Sequence, residues 1–118
     1  MIFEKIREYC LKKKGVTEDF PFDERTLVFR VMGKMFLLTD LEPPFYINIK
    51  CDPEKAIELR ERYEGVTPGY HMNKNHWNTI DLNSNIPIRE IFNWIDHSYE
   101  LVLLGLSKKE REKFEKNF

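Results

Sequence analysis

The sequence predicts an α+β fold in which an antiparallel sheet carries its helices on one face. Apolar residues recur at three- and four-residue steps near both ends of the chain. β-branched and aromatic runs fill positions 26–51, and Gly or Pro punctuates most changes of pattern. No repeat, low-complexity tract or linker divides the 118 residues, so one domain spanning 1–118 is expected.

The first helix is written by Ile2, Phe3, Ile6, Tyr9 and Cys10 on one face, with Glu4, Lys5, Arg7 and Glu8 opposite. Lys12, Lys13 and Lys14 are expected in its last turn, where cations complement exposed carbonyls, and Gly15 supplies a left-handed stop. A loop through Asp19-Phe20-Pro21-Phe22-Asp23 follows. Residues 26–31 then read as a strand, Met32-Gly33-Lys34 as a tight turn, and residues 35–40 as the hairpin partner. Beyond Pro43-Pro44 the alternation is strict: Phe45, Ile47, Ile49 and Cys51 point one way, Tyr46, Asn48 and Lys50 the other. One face of the sheet is therefore covered and the other at least partly wet.

Asp52-Pro53 is a helix start, because Asp caps free N–H groups and Pro fits the first helical position. That helix carries Ala56, Ile57, Leu59, Arg60 and Tyr63 and closes at Gly65. Residues 66–75 read as an extended stretch running into a loop, and 76–82 as a further strand. Pro87 opens the longest helix, with Ile88, Ile91, Phe92, Ile95, Tyr99 and Val102 on its apolar stripe. Ser107 and Glu110 form a capping box for a short charged helix at the end.

The charge balance narrows the functional classes. A net charge of −1 and a pI near 6.3 argue against strong phosphate-driven affinity, since such proteins carry a clear basic excess. Cys10 and Cys51 lack metal-ligand spacing and read as reduced, partly buried thiols. No apolar run approaches the roughly 20 residues that span a bilayer, and the N-terminus lacks a signal-peptide shape. A cytoplasmic protein without a membrane partner is the expectation.

The densest functional stretch is 68–79, which holds two histidines, a lysine, three asparagines, Tyr70 and Trp77. Lys74 suits a phosphate, and Asn73 and Asn78 suit phosphate oxygens or base edges. Tyr70 and Trp77 suit stacking on a base. A structural alternative has Trp77 anchoring the core and the asparagines making turns. His71 and His76 lack a third ligand nearby, so no metal is expected, and no cofactor motif is present. Asp96-His97 has no recognisable nucleophile, so His97 is expected to be hydrogen-bonded within the fold. No enzyme is expected.

This same stretch, 65–74 followed by His76-Trp77-Asn78-Thr79, resembles the central signature of the MmcQ/YjbR family. Residues 15–22, 48–53 and 96–102 agree with that pattern in order, so the resemblance covers nearly the whole chain. It implies a fold similar to CyaY, the bacterial frataxin. It also implies DNA binding through β-hairpin wings, with no catalytic residues. Frataxin-type iron binding would need an acidic first helix, which the lysines here contradict. In the wing reading, Arg30 and Lys34 sit at the first hairpin, and His71, Lys74 and His76 at the second. The candidate contacts are thus Tyr70, His71, Asn73, Lys74, His76, Trp77 and Asn78, with Lys34 and Arg30 in the other wing. So few cations predict weak, salt-sensitive and mostly non-specific binding. The alternative is a small-ligand or protein-binding module, in which the 68–79 segment joins Phe20 and Phe22 around an aromatic pocket.

Overall fold

The computed structural model describes residues 2–69 and 72–118. Its elements are α1 (Ile2–Leu11), β1 (Val16–Asp19), β2 (Thr26–Val31), β3 (Lys34–Asp40), β4 (Tyr46–Lys50), α2 (Pro53–Arg62), β5 (Val66–Pro68), β6 (Trp77–Asp81), α3 (Ile88–Leu104) and α4 (Lys108–Asn117). The sheet runs β1-β2-β3-β4-β6-β5, with every neighbouring pair antiparallel. Helices pack on one face only, as the alternation of β4 requires: α3 lies over β2, β3 and β4, α1 against β1 and α3, and α2 against β5.

Two elements depart from the sequence expectation. β1, read as part of a loop, is a short edge strand paired from Val16↔Val31 to Asp19↔Val28. Its charged Glu18 and Asp19 hide it from propensity scales, and pairing with β2 overrides them. α1 ends at Leu11, so the lysine run forms the turn beyond the helix rather than its last turn. Gly15, at φ +73°, makes the left-handed stop. The β2–β3 turn places Met32 (φ 52°) and Gly33 (φ 76°) both in the left-handed region, as a two-residue hairpin of matching twist demands.

The core lies between the sheet and the helices, with Phe29, Phe36, Leu37, Ile47, Ile49, Ile80 and Ile95 fully buried. Each contributes about 1.5–3 kcal/mol of burial. Arg30 pairs with Met35 and Phe29 with Leu37, so Phe36 is an extra, bulged residue. The bulge turns both Phe36 and Leu37 into the core. Its cost is a backbone group outside the ladder, and Ser98 of α3 compensates for it. The Ser98 hydroxyl donates to the Phe36 carbonyl (2.5 Å) and accepts from the Lys50 N–H (2.9 Å). α3 is thereby fixed over β3 and β4. Asp52 caps α2 by accepting from the Lys55 N–H, and Ser107 and Glu110 complete the predicted capping box of α4. The Asp52 N–H donates to His97 Nε2 at 3.2 Å, which ties the start of α2 to α3.

Candidate binding site on the open face of the sheet

Strand pairing writes a row of side chains across the face without helices. Asp19, Val28, Leu38, Asn48, Thr79 and Thr67 stand side by side on six successive strands. The row changes from apolar at β2 and β3 to amide and hydroxyl at β4, β6 and β5. Val28, Leu38 and Trp77 form a second buried cluster here, joined by Met35 and Met72. Next to it a cleft of about 260 Å³ opens over β3 and β4, with walls that include Phe22, Met35, Leu38, Tyr46, Asn48 and Met72.

Two loops flank this cleft. In the first, the Asp23 carboxylate accepts from the N–H groups of Arg25 (2.8 Å) and Thr26 (2.6 Å), which holds its pKa below the usual carboxylate range. That turn positions Phe22, 65% exposed, at the mouth. The second is the 69–76 loop, which brings Met72. At the rim Asp40 accepts from Arg25 at 3.1 Å, so the one charged group that the described residues bring to the wall is already paired.

The nine residues singled out from the sequence divide sharply. Tyr70 and His71 lie outside the described residues. Asn73, Lys74 and His76 are exposed on the loop. The Asn73 side chain accepts from the Asn75 N–H (2.9 Å), an Asx turn, and Lys74 Nζ donates to the Gly69 carbonyl (3.1 Å). Trp77, 9% exposed, packs into the open-face cluster, and Asn78, 0% exposed, lies under α2. Asn78 Nδ2 donates to the Ala56 carbonyl (3.3 Å), and its Oδ1 accepts from Arg60 Nε (2.7 Å). Neither side chain stands out in solvent: alternation along β6 sends one to each face, and both faces are covered at that point. Arg60 also donates to the carbonyls of Lys74 and Trp77, pinning the loop to α2.

The wing cations are engaged as well. Arg30 donates to Asp19 and to the Gly33 carbonyl, each at 3.1 Å, and Lys34 Nζ stands 3.9 Å from Glu110 of α4. Residue-by-residue reading missed the cleft's walls at Asn48, Met35, Leu38 and Met72. The signal for Asn48 was present in the alternation of β4, which sets it opposite Ile47 and Ile49. Among the described residues no group of three or more His, Cys, Asp or Glu could hold a metal ion.

The family model described as YjbR matches residues 11–101 of the chain. The chain belongs to the YjbR family. It is 32% identical to the uncharacterized protein YbdF of Escherichia coli O157:H7, covering 95% of this chain and 93% of that protein. To the uncharacterized protein YjbR of Escherichia coli K12 it is 27% identical, covering 95% and 96%. Among solved structures, a Deinococcus radiodurans protein superposes with a TM-score of 0.89 at 36% identity, covering 96% of this chain and 87% of that one. A Pseudomonas syringae protein gives 0.73 at 29%, covering 83% and 96%. This YjbR-family chain therefore shares its α+β architecture, antiparallel sheet and one-sided helices with proteins across its length. No helix among the described residues is long and apolar enough to cross a membrane.

Proposed function

We propose that this YjbR-family protein is a non-enzymatic binding module whose ligand seats on the open face of the sheet. The observation that carries this reading is the apolar cleft over β3 and β4. A sheet face without helices normally turns polar side chains outward, yet here Val28, Leu38, Met35, Met72 and Trp77 gather beside a concavity. Its volume, about 260 Å³, lies below the 300–1,000 Å³ usual for drug-sized ligands and suits a molecule of one or two rings. The buried, unpaired Cys10 and Cys51 suit a reducing compartment, and the cytoplasm is the setting we propose.

The test is a titration of the isotope-labelled protein with indane, a neutral two-ring hydrocarbon, followed by amide NMR. Shifts concentrated on residues 35–40, 46–48 and the loop near Met72 are expected at millimolar ligand. An absence of shifts there, or shifts clustered elsewhere, overturns the reading.

A second reading is DNA contacted by hairpin tips in a CyaY-like arrangement. Exposed Lys34, Lys74 and His76 favour it, and the family resemblance suggests it. The internal pairing of Arg30 and Lys34, with the net charge of −1, limits what phosphate contact they can supply. Fluorescence anisotropy with a labelled duplex at low salt is the measurement. No binding at tens of micromolar ends this reading.

A further inference from the structure

We infer, resting on the open-face ligand reading, that the cleft selects a neutral, planar, largely apolar molecule bearing a carbonyl-type acceptor, and that the Asn48 amide recognises it. Asn48 sits at the centre of the open-face row, between Leu38 on β3 and Thr79 on β6, and is 7% exposed. Its Oδ1 accepts the Thr79 hydroxyl at 2.5 Å. With that oxygen engaged, the NH2 group is the part of this cleft-lining amide left to meet a ligand, and it donates to no described residue. A nearly buried amide donor is costly to leave without a partner. No side-chain polar atom among the described residues is both buried and unsatisfied, so this donor keeps some exposure to solvent.

The surrounding chemistry sets the remainder of the ligand. Leu38, Met35 and Met72 offer flat, polarisable apolar walls, and thioethers adapt to the edge or face of a ring. Phe22 at the mouth adds an aromatic surface. Asp40, the only charged residue of the wall among the described residues, is held by Arg25, so a charged ligand would lose hydration without gaining a free counter-ion from them. An anion would also face the Asp40 carboxylate. A ring system with one acceptor oxygen fits all three constraints.

The matched pair indane and 1-indanone isolates the acceptor, because the two differ by one ring carbonyl. In amide NMR titrations of the full chain, 1-indanone is expected to bind roughly three to ten times more tightly than indane, the ratio one hydrogen bond provides. The Asn48 side-chain NH2 resonances should move with 1-indanone and not with indane. In Asn48→Asp, which keeps an acceptor for Thr79 and removes the donors, the preference should vanish. Equal affinities in the unmodified protein overturn the inference while leaving the ligand-site reading intact. So does a preference that survives in Asn48→Asp. Should that variant fail to fold, the NH2 resonances of the unmodified protein decide alone: no selective movement with 1-indanone refutes the role of Asn48. If neither compound reaches the cleft, both the inference and the ligand-site reading fall.

Discussion

Replacing Asn78 with Ala tests whether this residue, which the sequence offers as a recognition group, is instead a structural one. In the fold its side chain is fully enclosed, accepts from Arg60 Nε at 2.7 Å and donates to the Ala56 carbonyl at 3.3 Å. A hydrogen bond to a charged group contributes about 1.5–3 kcal/mol, and the longer neutral one about 0.5–1 kcal/mol. Loss of the amide also leaves a small void beneath α2, worth about 1 kcal/mol. Arg60 is partly solvated and retains the Lys74 and Trp77 carbonyls, which pulls the sum toward its lower end. The expected destabilisation is about 3 kcal/mol, or a fall in Tm of roughly 10 °C for a domain of this size. Urea unfolding followed by circular dichroism measures it, with the slope checked for two-state behaviour. Arg60→Ala alone should cost less, and the double variant should fall short of the sum because the two share one network. A loss below about 1 kcal/mol would show that the Arg60–Asn78 link does not hold α2 to β6.

Two further predictions concern titration. His97 has its pKa drawn below the ordinary 6.5, first by burial and then by the charge of Lys55. A depressed folded value means that its stabilising contribution is complete above the unfolded pKa and is lost as pH falls through the folded one. Stability should therefore drop on acidification below about pH 6.5, and His97→Gln should flatten that limb; an unchanged acid limb contradicts the assignment. Burial pushes the thiol of Cys10 up to about 12 and that of Cys51 to about 11. Their contribution is intact below the ordinary 9.0 and disappears as pH rises through those folded values. Both thiols should resist an aromatic disulfide reagent at pH 8 until urea unfolds the chain, and rapid labelling of the native protein would refute their enclosure.

These residues bear on how the two functional readings divide. The wing reading needs cations free to meet phosphate, whereas Arg30 and Lys34 are turned to acidic partners and Lys74 to a backbone carbonyl. The ligand reading needs only a concave, mostly apolar face with a polar group in its wall, and Asn48 and its neighbours supply both. Among the described residues of the 68–79 segment, Met72 reaches the cleft wall, an apolar residue rather than one of the polar recognition groups.

Local chemistry alone determined much of this protein. The Asp52-Pro53 cap, the Ser107–Glu110 box, the Gly15 stop, the Met32-Gly33 turn and the period-2 pattern of β4 all hold in the structure, because each depends on neighbours a few residues away. Tertiary structure decided the rest. β1 exists because Val31, Arg30, Phe29 and Val28 offer it a pairing edge, which no property of Val16–Asp19 announces. The bulge at Phe36 holds because Ser98, 62 positions away, meets its carbonyl. Trp77 and Asn78 carry the same surface-recognition chemistry on paper as any exposed Trp and Asn. What separates them from such a role is the covering of both sheet faces where β6 meets α2 and the open-face cluster. Burial and strand order are long-range properties, and with them went the position of the cleft.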